Sequence, residues 1–279
     1  MIRLRTPLRA TGTRFLARIT RLGLALAGLF VLGGCSLFLR NPVVPIPQQG
    51  TRFSAEHRAT TLVVFLPGRG GAMTDFEREG FVDVLSEAGV MADTIAVDAH
   101  LGYYYNRTVL ERLQQDVLLP ARQRCYSRIV LVGVSLGGLG ALLNERDHPG
   151  SVDALVLLAP YLGDDQHLFE AIAASGGPAA WAIGRDPRVG DVEVQLWAFL
   201  GTRSTHLPPT WLLYGRSDYL GAGHRQLAGL LPKGHVMTID GAHDWPTWRA
   251  LWREVCFGSA LFNVEKSAPT STDTGPDTP

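Results

Sequence analysis

A chain of 279 residues, 46% hydrophobic and 19% charged, can bury a substantial core, which excludes a disordered protein and suits one α/β domain with insertions. Formal net charge is zero, but six of the 26 basic residues (Arg3, Arg5, Arg9, Arg14, Arg18 and Arg21) precede residue 35, where no Asp or Glu occurs, leaving 20 basic against 26 acidic residues beyond it. Such a mildly acidic remainder has no electrostatic footprint for nucleic acid, so no nucleic-acid partner is expected.

The arginine-rich start runs into an uncharged apolar stretch, 22–32, which is too short to span a bilayer, since that takes roughly 20 residues. Basic, then apolar, then small residues is the order of a secretory signal. The stretch ends Leu32-Gly33-Gly34-Cys35-Ser36, which resembles the lipobox of bacterial lipoproteins. That resemblance implies a signal peptide over 1–34 and a lipidated Cys35 whose acyl chains, palmitate among them, hold the protein on a membrane. Ser36, rather than Asp, implies sorting to the periplasmic face of an outer membrane. The uncharged, proline-rich run 41–50 (NPVVPIPQQG) reads as an extended tether, so 35–60 is expected to link anchor and domain.

Beyond it, short apolar runs alternate with helical patterns. Residues 61–66 (TLVVFL) are β-branched and apolar and predict a buried strand. Apolar positions Phe76, Phe81, Val82, Leu85 and Ala88 predict a helix over 75–88, with Gly89 as its stop. A short strand is expected over 94–97 and a long amphipathic helix over 108–124, interrupted near Pro120. The run 128–134 (RIVLVGV) reads as a strand and 136–144 (LGGLGALLN) as a helix. Strands are expected at 154–159, 211–214 and 236–239, and helices at 222–231 and 245–255. Strands apolar on both faces, alternating with helices, predict an α/β class with a mostly parallel sheet of about six strands covered on both faces. One further edge strand is expected near 51–57.

The folded domain is thus drawn at 61–258, with 259–279 as a disordered tail, rich in Ser, Thr, Asp and Pro from Glu265 onward. The gap 161–209 is too long for bare loop. It reads as a small helical cap above the sheet's C-terminal edge, or else as a connecting helix pair whose Phe169, Trp181, Trp197 and Phe199 only fill core. Cys125 and Cys256 read as buried thiols rather than a disulfide.

Between the strand at 128–134 and the helix at 136–144 lies Gly133-Val134-Ser135-Leu136-Gly137, a G-x-S-x-G pentapeptide. In that strand–turn–helix setting it reads as a nucleophile elbow, with the Ser135 hydroxyl at the sheet edge above a helix N-terminus. A serine needs a base, and the base an orienting carboxylate. Asp218 follows the strand 211–214, and His243 follows the strand 236–239 in Gly241-Ala242-His243-Asp244-Trp245. Asp165 is the next candidate for the acid. His100 could line the site, and Tyr103, Tyr104 and Tyr105 beside it either line the pocket or form an aromatic patch.

With Ser135, Asp218 and His243 in that order at strand ends, 61–257 resembles the α/β-hydrolase superfamily, of the serine esterase and lipase kind. The resemblance implies an α/β-hydrolase fold with a small helical cap and a hydrolase acting on a small-molecule or lipid acyl substrate. It carries the nucleophile to Ser135, the acid to Asp218 and the base to His243. It also carries the oxyanion-hole N–H groups to Leu136 and to Arg69 in Pro67-Gly68-Arg69-Gly70-Gly71, with Gly70 as the alternative. Many relatives have His-Gly where this chain has Pro67-Gly68. No zinc spacing or H-E-x-x-H occurs, so neither metal nor organic cofactor is expected.

Overall fold

A computed structural model of the protein describes residues 40–54, 58–124 and 126–262. The expected signal peptide, Cys35, Cys125 and the tail from residue 263 lie outside these residues. Seven strands form one sheet: β1 (Gln48–Thr51), β2 (Thr61–Leu66), β3 (Ala92–Val97), β4 (Arg128–Val134), β5 (Ala154–Leu158), β6 (Thr210–Gly215) and β7 (Val236–Ile239). Their order across the sheet is β1-β3-β2-β4-β5-β6-β7. All neighbouring pairs are parallel except β1 with β3. Every residue of β2, β5 and β6 is buried. Successive strand side chains point to opposite faces, so the sheet is covered on both sides, as their unbroken apolar runs require.

The covering helices include α1 (Asp75–Arg78), α2 (Phe81–Glu87), α3 (Leu101–Tyr105), α4 (Val109–Leu113), α5 (Leu119–Gln123) and α6 (Leu136–Asp147). After them come α7 (Gln166–Ala174), α8 (Pro178–Trp181), α9 (Val192–Arg203), α10 (Gly221–Ala228) and α11 (Trp245–Gly258). The helix expected over 75–88 is two helices, because the chain turns through Gly80 at φ 75°. The long helix expected over 108–124 is broken by a π turn at Gln114–Leu118, ahead of Pro120.

Three boundaries need correction. The stretch read as tether joins the domain: Ile46 is buried, its N–H donates to Asp116 Oδ2 (2.8 Å), and β1 pairs with β3. Val43 is pinned too, its N–H and C=O both bonded to the Tyr103 hydroxyl. At the other end, Leu261 and Phe262 are buried, past the expected limit at 258. The insertion 161–209 does hold helices, α7 to α9, but they pack on one another, on α6 and on α10. Phe169, Trp181, Trp197 and Phe199 are all buried there, with Phe169 and Trp197 edge to face at 5.9 Å.

An aromatic cluster fixes the element that follows the candidate histidine. Phe65 of β2 stacks on Phe76 (4.7 Å), and Phe81 stacks on Trp252 of α11 (5.5 Å). The Trp252 indole N–H donates to the Phe81 carbonyl (2.9 Å), so this large buried side chain leaves no orphaned donor.

Candidate active site

Val134 ends β4 and Leu136 begins α6, so the whole reversal falls on Ser135. It takes φ 51° and ψ −113°. A non-glycine residue held there costs of order 1–3 kcal/mol, which the surroundings must offset. They do so with backbone bonds: the Ser135 N–H donates to Leu158 O (2.9 Å), and the Ser135 carbonyl accepts from Tyr161 (2.8 Å) and Gly138 (2.9 Å). The flanking glycines are steric requirements. A Cβ on Gly133 would lie 2.3 Å from the Gly137 carbonyl oxygen, and one on Gly137 would lie 2.2 Å from that of Leu66.

The other two side chains arrive from adjacent strand ends. Asp218 lies three residues past β6; its Oδ1 accepts from the Leu220 N–H at 2.8 Å, which orients the carboxylate. His243 lies between β7 and α11. Its loop is tied by the Ala242 N–H to Thr247 Oγ1 (3.1 Å), and the Asp244 carboxylate accepts from the Thr247 N–H (3.0 Å) at the head of α11. His243 Nδ1 sits 2.8 Å from Asp218 Oδ2, and His243 Nε2 sits 2.9 Å from Ser135 Oγ. A carboxylate only accepts, so Nδ1 carries the hydrogen, and Nε2 is left to accept from the serine hydroxyl. The Asp218 side chain is fully buried and that of His243 is 10% exposed. The imidazole contacts Tyr219 (4.8 Å) and Trp248, which meets it edge to face at 5.0 Å.

The rival residues have other partners. Asp165 caps α7 by accepting from the His167 N–H (2.9 Å). Asp244 makes its bonds to Thr247, which hold its carboxyl below the ordinary range. His100 accepts from the Gly102 N–H at the start of α3 (3.2 Å), and His235 stacks on Trp211. Of the three tyrosines, Tyr103 is buried against Val43, the Tyr104 hydroxyl is buried against Gly140, and Tyr105 is exposed. They do not line the cleft at Ser135.

That cleft holds about 730 Å³ between the loop 68–71, Ser135, and the side chains of Tyr219, His243, Trp245 and Trp248. Among the described residues its lining includes none from 161–209, so the expected cap does not cover the serine. The loop closes as a turn through the Gly71 N–H and the Gly68 carbonyl (3.0 Å), with Arg69 and Gly70 as its central residues. Gly70 takes φ 77° there. The Ala72 N–H donates to Asp75 Oδ2 (2.8 Å), which ties the turn to α1. A Cβ on Gly68 would lie 3.3 Å from that of Ser135, so the turn passes beside this serine. Leu136 is the first residue of α6, and its N–H has no acceptor within the helix. The turn and the first residue of α6 therefore adjoin the serine.

Two features escaped the sequence reading. Tyr219, and Trp248 five residues past His243, both contact the imidazole through space, and only the aromatic spacing of α11 hinted at the second. His224 of α10 is fully buried, with its Nε2 2.9 Å from the Pro160 carbonyl and its Nδ1 unpartnered. Burial, chiefly, pushes its pKa below the ordinary value, against the pull of Asp218. No group of three or more His, Cys, Asp or Glu able to hold a metal occurs among the described residues.

No protein-family model matches the chain, and no curated protein matches it in sequence. In three dimensions it resembles solved α/β-hydrolases. A ferulic acid esterase aligns over 78% of this chain and 99% of its own, at 15% identity and TM-score 0.50. FphF, a fluorophosphonate-binding serine hydrolase of Staphylococcus aureus, aligns over 76% and 91%, at 16% identity and TM-score 0.50. A predicted CIB-like hydrolase from Thermoplasma acidophilum aligns over 75% and 89%, at 14% identity and TM-score 0.50. At such identities the likeness is one of architecture: this chain has the α/β-hydrolase fold.

Proposed function

We propose that the protein is a serine hydrolase that cleaves a carboxylic ester, or a related acyl compound, through Ser135, His243 and Asp218. The observation that carries this reading is the imidazole bonded at once to Ser135 Oγ (2.9 Å) and Asp218 Oδ2 (2.8 Å) at an open cleft. In the proposed reaction Ser135 Oγ attacks the carbonyl carbon while His243 Nε2 takes its proton. Asp218 stabilises the imidazolium, and His243 returns the proton to the leaving alcohol. The Leu136 N–H and that of Arg69 or Gly70 stabilise the oxyanion, and water then releases the acyl group from the serine. The lipobox-like segment further supports a protein anchored through Cys35 to the periplasmic face of an outer membrane.

The experiment is labelling by a fluorophosphonate probe together with turnover of short 4-nitrophenyl esters. Labelling and turnover that both vanish in Ser135→Ala are expected; turnover that survives in this variant would falsify the assignment. Labelled fatty acid should enter the wild-type chain and not Cys35→Ala.

A further inference from the structure

The charges around Ser135 are compensated with one exception. Arg78 is held by Asp75 (2.6 Å) and Glu79 (3.3 Å). Asp75 is in turn bonded to the Ala72 N–H. Asp218 is engaged by His243. Asp244 sits on the N-terminus of α11, where the Thr247 amide and the helix dipole offset its charge. Arg69 differs. Its side chain is exposed in the cleft lining and makes no hydrogen bond or ion pair among the described residues. It directly follows Gly68, whose backbone lies against Ser135. Trp248 lines the same cleft, and its indole N–H is buried without a partner. With no part of 161–209 in the lining, the cleft also leaves room for a substrate to extend toward Arg69.

We infer that this cleft takes esters carrying an anionic group, a carboxylate in the simplest case, which the Arg69 guanidinium meets while Ser135 attacks the ester carbonyl. The inference rests on the hydrolase reading above and deepens it by naming a substrate class. Arg69 is then a specificity residue through its side chain, separately from its backbone. The covalent chemistry is unchanged: the ester C–O bond breaks, water supplies the new oxygen, and an alcohol and an acid leave.

The test uses two 4-nitrophenyl esters of equal chain length, the half-ester of glutaric acid and the ester of pentanoic acid. The readout is the ratio of their kcat/KM values, in which any change at the oxyanion hole cancels because both esters use the same donors. Wild type should favour the half-ester by about three- to fivefold at low salt, as expected of one solvent-exposed charge pair. The ratio should decay toward one in about 0.5 M salt as the pair is screened. Arg69→Lys should keep the preference, Arg69→Gln should abolish it, and Arg69→Glu should invert it. A wild-type ratio of one, or a preference that survives Arg69→Glu, overturns the charge reading while leaving the hydrolase intact. Failure of both esters, with no fluorophosphonate label on Ser135, overturns the hydrolase reading and this inference with it.

Discussion

The strand ends at β4, β6 and β7 and the insertion 161–209 are built from similar material and behave differently. At the strand ends, almost every position is held by a contact with little tolerance: a carbonyl 2.2 Å from where a Gly137 Cβ would be, a carboxylate 2.8 Å from an imidazole nitrogen. In the insertion, the same aromatic residues that could have roofed the cleft are turned inward. Trp181 and Trp197 are buried, and the Trp197 indole N–H donates to the Leu162 carbonyl (2.9 Å). The first region carries geometry for chemistry, and the second carries core. Mutations should therefore divide cleanly, with the strand ends losing turnover before stability and the insertion losing stability before turnover.

The sharpest expected effect is at the proposed nucleophile. Ser135→Ala should lower kcat by about a million-fold, with Asp218→Asn nearer ten-thousand-fold, in line with other triads. Both variants should unfold in urea close to wild type, since neither change opens a cavity. Asp218→Asn removes the carboxylate that holds the His243 Nδ1–H, so the ring can take the tautomer that cannot accept from Ser135. Equal activity in Asp218→Asn and wild type would show that another carboxylate orients the histidine, and Asp165 would need re-examination despite its bond to the His167 N–H.

Trp181→Ala probes the other side of the comparison. A buried tryptophan truncated to alanine should destabilise the protein by about 3–5 kcal/mol, read as a shifted urea midpoint with an unchanged slope. Turnover per folded molecule should stay at the wild-type level, because no residue of 161–209 lines the Ser135 cleft. A variant of normal stability with a raised KM would mean that the insertion acts as a lid after all.

How much of this was legible in the sequence follows from the same contrast. β2 and β7 run over the residues their apolar runs indicated, Thr61–Leu66 and Val236–Ile239. Ser135, Asp218 and His243 could be picked out because each follows an apolar strand and stands beside glycines that only a tight turn requires. The edge strand expected near 51–57 lies at Gln48–Thr51 instead, because a mostly exposed Gln-Gln-Gly-Thr strand has no apolar signature to fix its bounds against the tether. The insertion was left between a cap and a connecting helix pair for a different reason. Helical spacing tells that an apolar face exists and is silent on whether the sheet flank or the substrate will cover it. Pairings across space, such as those of Tyr219 and Trp248 with His243, leave no periodic trace at all.

The smallest expected effect lies between the two regions, at His224. It joins them: its ring rests against Tyr214 of β6 (4.9 Å), and its Nε2–H reaches the Pro160 carbonyl, one residue before the Tyr161 N–H that braces Ser135. Burial lowers its pKa from the ordinary 6.5; the Asp218 charge opposes that shift, and His243 and Arg225 add to it. In the folded state the ring thus stays neutral at pH values where the unfolded chain already binds a proton. The unfolded state then holds more protons, so stability falls as pH drops below about 6.5 and continues to fall until the folded pKa is passed. One such group can remove at most about 1.4 kcal/mol per pH unit. His224→Gln keeps a donor for Pro160 and removes the titration, so its urea stability should fall less steeply than wild type between pH 7 and pH 5. Parallel slopes for the two proteins would show that His224 takes its proton as easily folded as unfolded. The neutral ring would then not be what links the acid loop to the serine.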